Sequence, residues 1–211
     1  MGKRTYESPL RTAQAARTRR QIVDGARRVF VQHGYGGTSM AAIAREAGVS
    51  RDTLYKVFRT KPDLLKAVYD VAVVGDHEAV PIAERPEYVR MLADPDPAAA
   101  ARAFGELSAE LLERIGPVLQ VLADAAHDQE LRELVATTRA ERLAGTRDLL
   151  VRLSGVTSGP ALDRAVDVVW MLVSPEVSFL LTGARGWSLA EYGRWLGDAV
   201  ADQVGGLRAG G

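Results

Sequence analysis

Cysteine is absent from the 211 residues, which excludes disulfides and thiolate metal sites and is compatible with a reducing compartment. Histidine is scarce: His33, His77 and His127 stand far apart and share no metal-ligand spacing. There is no Gly-x-Gly-x-x-Gly and no phosphate loop, so no cofactor is expected. The sequence also lacks a long apolar run. The longest, residues 166–181, is interrupted by Asp167, Ser174, Pro175 and Glu176, which suits a buried helix and not a membrane span. Residues 1–20 are basic and polar, with Lys3, Arg4, Arg11, Arg17, Arg19 and Arg20, and no apolar stretch follows them as in a secretory signal. Strand-like alternation of useful length is missing as well.

What remains is a profile of 47% hydrophobic and 26% charged residues, that of a globular protein, for which a cytoplasmic location and no membrane partner are expected. Net charge is zero, but it is unevenly placed. Residues 1–75 hold 14 Lys and Arg against 6 Asp and Glu, a net of +8; the remainder holds 13 against 21, a net of −8. One basic end suggests an anionic partner there, although a cluster of solvated charge gives the same count.

Helical spacing recurs along the chain. Ile22, Ala26, Val29 and Phe30 mark a first helix that Gly34 can stop. A short helix fits residues 39–47, with Met40, Ile43, Ala44 and Ala47 inward. Gly48, Val49 and Ser50 form a turn, and Ser50 can cap a further short helix over 51–58. Thr60 is placed to cap a fourth helix through a Thr-x-x-Asp box with Asp63, ending near Gly75. Prolines 81, 86, 95 and 97 make residues 76–97 a linker with a helical turn or two at 87–93. Separate helices are expected over 97–115, 117–127 and 128–153, a loop over 154–159, and two last helices over 160–182 and 188–204. Pro175 should kink the first of these, Ser188 and Glu191 cap the second, and the glycine-rich tail 205–211 should fray.

The informative segment is 38–65. Two short helices across a glycine turn have the helix-turn-helix plan. Gly48 suits the turn because glycine adopts a positive φ at little cost, and Val49 is placed to plug the space between the helices. Leu54 and Phe58, four apart, face the core; Arg51, Asp52 and Lys56 fall on or near the outer face.

The run from Thr38 through Ala-Gly-Val-Ser (47–50), Thr-Leu-Tyr (53–55) and Phe58 to Lys61 resembles the N-terminal signature of the TetR family of transcription regulators, in register back to Ile22 and covering about a quarter of the chain. Val57 departs from the aromatic or histidine common there, and Asp52 from a small residue; both bear on which DNA sequence is read. The resemblance implies that Thr38, Ser39, Ser50, Thr53, Tyr55 and Lys61 contact phosphate or cap helices facing it, and that Arg51, Asp52 and Lys56 contact bases. Each also has a plainer reading: Ser50 as a cap alone, Tyr55 as part core, Lys56 as a phosphate contact alone, Lys61 as a solvated cation.

The resemblance further implies an all-α fold, a three-helix DNA-binding domain joined by its linking helix (1–75) to a C-terminal helical bundle (76–211) that binds an effector and forms a two-fold homodimer. Residues 160–182 are apolar almost all round, and Tyr192, Trp195, Leu196, Ala199, Val200 and Val204 line one side of the last helix, so these two helices are the expected interface; a larger monomeric core is the alternative. A small-molecule cavity would draw on Tyr88, Met91, Phe104, Leu107, Leu111, Leu122, Leu134, Trp170 and Met171, with Ser108, Thr138 and Ser174 as polar contacts. Ordinary core packing is the competing role for each. The rivals to a DNA-binding repressor are a helical enzyme, for which the pairs Glu110/Glu113 and Glu130/Glu133 read better as solvated faces, and a module that binds only proteins, against which the basic first domain argues.

Overall fold

The computed structural model describes residues 9–78, 80–125 and 128–210, with side chains from residue 11; His127, Lys3 and Arg4, named above from the sequence, lie outside these. The described residues are helical throughout, with no strand among them. The helices are α1 (Pro9–His33), α2 (Met40–Glu46), α3 (Arg51–Val57), α4 (Lys61–Val74), α5 (Pro86–Leu92), α6 (Pro97–Asp124), α7 (Arg132–Ser154), α8 (Pro160–Leu172), α9 (Pro175–Phe179) and α10 (Leu189–Ala209). Short 3₁₀ turns at Ile82–Glu84 and Gln129–Leu131 and a π turn at Leu180–Ala184 complete them.

The chain divides into two compact units. One holds the residues up to Ala72 together with Pro117–Arg132; the other holds Val73–Gly116 and Glu133 onward. This division differs from a single cut near residue 75 by taking 117–132 into the first unit.

In the first unit Ile22, Ala26, Phe30, Ile43, Leu54, Leu64 and Leu65 are all at most 2% exposed, so the helical spacing found the core. In the second, Leu149, Leu150, Leu162, Val166, Val169, Tyr192, Leu196 and Val200 form one apolar cluster. Tyr192 is pushed up to about 12 by burial, and its hydroxyl donates to the Leu172 carbonyl at 2.9 Å.

Three expectations about the helices need correction. The expected break at 116–117 is absent, because α6 runs through Pro117. An interior proline costs about 3 kcal/mol. Ile115, Val118, Val121 and Leu122 are buried on either side of it, at about 1.5–3 kcal/mol each, which outweighs that cost. Helix α8 ends at Leu172 and Pro175 starts α9, where only a kink was expected. Ser174 caps α9 by accepting from the Val177 amide at 3.3 Å, and the segments on either side bend by 45°. The tail is helical to Ala209. Gly205 and Gly206 cost about 1 kcal/mol each, less than burying Val204 and Leu207 returns.

Among the described residues no single helix is long and apolar enough to cross a membrane; α8 with the segment after it has the length and composition but is bent.

A bidentate ion pair closes the loop after α4. The Arg85 guanidinium donates to both carboxylate oxygens of Asp76, at 2.6 and 2.8 Å, and to the Val80 carbonyl at 3.2 Å. Those hydrogen bonds, with one from the Glu78 amide, hold the Asp76 carboxyl at about 2 against an ordinary 3.8. A carboxyl depressed in the folded state adds stability above its ordinary value, and that contribution is lost as pH falls through the folded one. The urea midpoint of the wild type should therefore exceed that of Asp76→Asn by a constant margin at neutral pH. The margin should shrink between pH 3.8 and about 2; one that stays constant down to the lower value would contradict the clamp.

Candidate nucleic-acid interface

The first unit assembles a helix-turn-helix from local chemistry. Ser39 caps α2, its hydroxyl oxygen accepting from the Ala42 amide at 3.2 Å. The helix ends in a Schellman turn: the Val49 amide donates to the Ala44 carbonyl at 3.0 Å and the Gly48 amide to that of Arg45 at 3.2 Å, with Gly48 at φ +67°. Ser50 caps α3 by accepting from the Thr53 amide at 3.1 Å and shares a 2.8 Å hydrogen bond with the Thr53 hydroxyl. Such caps are worth about 1 kcal/mol each. Gly25 lets α1 approach α2 closely, since a Cβ there would stand 3.1 Å from Ala47.

Burial separates the two faces of α3. Leu54 and the following Phe58 are 0% and 4% exposed, whereas Tyr55 is 50% exposed and Arg51, Asp52 and Lys56 are open to solvent. The helix thus presents to solvent a guanidinium, an ammonium and a phenol, which can donate to phosphates and base edges, and a carboxylate, which can accept from a base amino group. Ser39 and Ser50 are exposed at the starts of α2 and α3, and Thr53 is half-buried.

Thr38 and Lys61 stand differently. Thr38 is buried, and its hydroxyl donates to the Gly34 carbonyl at 2.6 Å. The Lys61 ammonium donates to the carbonyls of Tyr35 and Thr38, at 3.1 and 3.3 Å, and lies 3.9 Å from the centre of the Tyr35 ring. Two of its three N–H groups fasten the α1–α2 turn. The Tyr35 hydroxyl donates to Glu130 at 2.9 Å; burial first, then that bond, pushes its phenol above the usual range. Glu130, expected to be a solvated face, is thus a partner for a core tyrosine. Two contacts across the unit have no local signal in the sequence and were not expected from it. The Arg19 guanidinium lies 4.5 Å over the Phe58 ring, and Arg28 forms a 2.6 Å ion pair with Glu46.

The residues read as cavity lining are less unified. Phe104 and Leu107 pack on the cluster of the second unit. Trp170 is half-buried, its indole N–H donating to the Arg139 carbonyl at 3.4 Å and the Arg142 guanidinium lying 5.2 Å from its ring. Leu111 is half-buried and Leu134 buried. Met171 is 52% exposed, and Leu122 belongs to the first unit. The hydroxyls of Ser108 and Thr138 donate to the carbonyls of Phe104 and Val135, and Ser174 is the cap of α9. Among the described residues no group of three or more metal-ligating side chains occurs.

The family model described as "Bacterial regulatory proteins, tetR family" matches residues 22–68, from the first core residue of α1 into α4. The HTH-type transcriptional regulator AcrR of Shigella flexneri is 39% identical over 59 residues, 28% of this chain and 27% of that protein. The chain thus spans about a quarter of that relative's length. The HTH-type transcriptional repressor Rv1474c of Mycobacterium tuberculosis is 29% identical over 174 residues, covering 64% of this chain and 91% of its own. Among solved structures, one described as a SmeT–triclosan complex superposes with a TM-score of 0.63 at 20% identity, over 90% of this chain and 91% of that one, a likeness of fold.

Proposed function

We propose that this chain, whose residues 22–68 match the tetR family model of bacterial regulatory proteins, is a transcription repressor that binds duplex DNA as a homodimer and is released by a small molecule. Residues 1–75 serve DNA binding and linkage, and residues 76–211 serve effector binding and dimerisation. The observation that carries the reading is the outward face of α3, where Arg51, Asp52, Tyr55 and Lys56 are exposed over a buried Leu54.

Within this reading Arg51, Lys56 and Asp52 contact bases, while Ser39, Ser50, Thr53 and Tyr55 contact phosphates. Thr38 and Lys61 act mainly by shaping the α1–α2 turn, with the third N–H of Lys61 left for a phosphate. Effector and operator oppose each other through α4, and each weakens the other's binding by the same factor. The SmeT structure, described with triclosan, supports a small organic ligand for the second unit. A cytoplasmic location follows from the DNA partner.

The last helices supply the dimer contact. Met171 and Leu180 are 52% and 59% exposed, which leaves apolar surface for a second copy. Trp195 is a poor probe, since it packs edge-on against Trp187 within its own subunit. Leu180→Glu with Met171→Glu should instead give a folded monomer by light scattering at micromolar concentration, with unchanged helix content and no retention of genomic fragments in a gel shift. A wild type that is itself monomeric, or a variant that stays dimeric, contradicts this interface.

A further inference from the structure

We propose that Glu130 is a positioning residue for DNA binding: acting through the Tyr35 side chain, it holds the Lys61 ammonium in place for a phosphate, so that an acidic side chain strengthens the grip on a polyanion. This rests on the DNA-binding role proposed above. Glu130 follows α6, in the stretch Pro117–Arg132 that joins the first unit and lies outside the residues 22–68 matched by the family model.

The turn that carries Glu130 is fixed by its own chemistry. The Asp128 carboxylate caps it by accepting from the Glu130 amide at 2.9 Å, and the Leu131 amide donates to the Asp128 carbonyl at 3.1 Å. Leu131 is 0% exposed, which anchors the turn in the first unit. Glu130 itself is exposed, and its carboxylate accepts from the hydroxyl of the buried Tyr35 at 2.9 Å.

Tyr35 passes that constraint on. The Lys61 ammonium lies 3.9 Å from the centre of its ring and donates to its carbonyl at 3.1 Å. A cation is drawn to the face of an aromatic ring, so the position of the ring sets the position of the charge. Phe30 stacks on Tyr35 with ring centres 6.0 Å apart and 11° between the planes. Stacking limits tilt but lets a ring slide in its own plane; the hydrogen bond to Glu130 removes that freedom. Charge counting alone gives the opposite sign. A carboxylate one ring away from a phosphate-binding lysine repels a polyanion, so its removal would tighten binding. Positioning predicts that its removal loosens binding.

The test is an anisotropy titration of a fluorescein-labelled duplex of arbitrary sequence with the full chain over a range of NaCl concentrations. Glu130→Ala should weaken binding by about 2- to 10-fold, the worth of one hydrogen bond. It should also lower the slope of log K against log salt by up to about 0.9, as one phosphate contact is lost. Tyr35→Phe removes the donor and should do the same, and the two changes together should cost no more than either alone. Glu130→Gln keeps an acceptor oxygen and should restore both affinity and slope. Circular dichroism of each variant should match the wild type. A loss of affinity at an unchanged slope signals a smaller folded fraction and overturns the tether, as do losses that add in the double variant. If Glu130→Ala binds as tightly as the wild type, or more tightly, while Lys56→Ala lowers the slope, the tether is overturned and the role of α3 stands. A folded wild type that ignores the duplex overturns both.

Discussion

Gly105→Ala should destabilise the second unit by about 2 kcal/mol, and Gly105→Leu should prevent it from folding. A Cβ at Gly105 would overlap the Gly193 carbonyl oxygen and stand 2.6 Å from the Gly197 amide nitrogen. The relation is mutual: a Cβ at Gly193 would meet the Cβ of Ala109 at 2.9 Å, and one at Gly197 the Cα of Arg102 at 2.7 Å. Helices α6 and α10 therefore touch backbone to backbone, with no flexible side chain in between to yield. Alanine gains about 1 kcal/mol over glycine in a helix interior. Overpacking typically costs about 1–3 kcal/mol, and more where only helix separation relieves it, so the loss wins. Urea unfolding followed by circular dichroism measures it; a Gly105→Ala protein at least as stable as the wild type would show that the helices do not meet there.

The second large effect is expected at Arg51. It is exposed at the first turn of α3, where the Ser50 cap fixes the helix start. A guanidinium in the major groove can donate to guanine O6 and N7 together, worth about 1–3 kcal/mol of discrimination, or roughly 5- to 150-fold. Arg51→Ala should flatten the preference at one position of each half-site while leaving binding to arbitrary duplex nearly intact. Titrations against single-base variants of a selected site decide it. An even loss over all bases makes Arg51 a phosphate contact and moves base reading to Lys56 or Asp52.

Lys61 shows where legibility in the sequence stops. Its place at the start of α4 was legible, because Thr60 and Asp63 mark that start and the Asp63 amide donates to the Thr60 hydroxyl at 3.1 Å. Its partners, the carbonyls of Tyr35 and Thr38, are more than twenty residues away and leave no local trace. The same holds for Tyr35 with Glu130, 95 residues apart, and for Gly105 against Gly193 and Gly197. Caps and turns were readable because each is settled by chemistry within three or four residues: Ser39, Gly48, Ser50, and Ser188 with Glu191, which form the capping box of α10. Prolines misled for the opposite reason. Their local cost at Pro117 is real, but burial along the rest of α6 exceeds it. The outward face of α3 was legible from the four-residue spacing of Leu54 and Phe58, and the family resemblance supplied the roles along it.

Two copies of α3 reading one duplex would leave their mark on the sequence of the site. The most direct measurement is selection of bound sequences from a pool of randomised duplexes by the full-length wild type, followed by sequencing. The expected result is enrichment of a two-fold symmetric site whose half-sites lie about 34–36 Å apart, one turn of DNA, and no enrichment with the Leu180→Glu, Met171→Glu protein. Recovery of a pool as random as the input would contradict it.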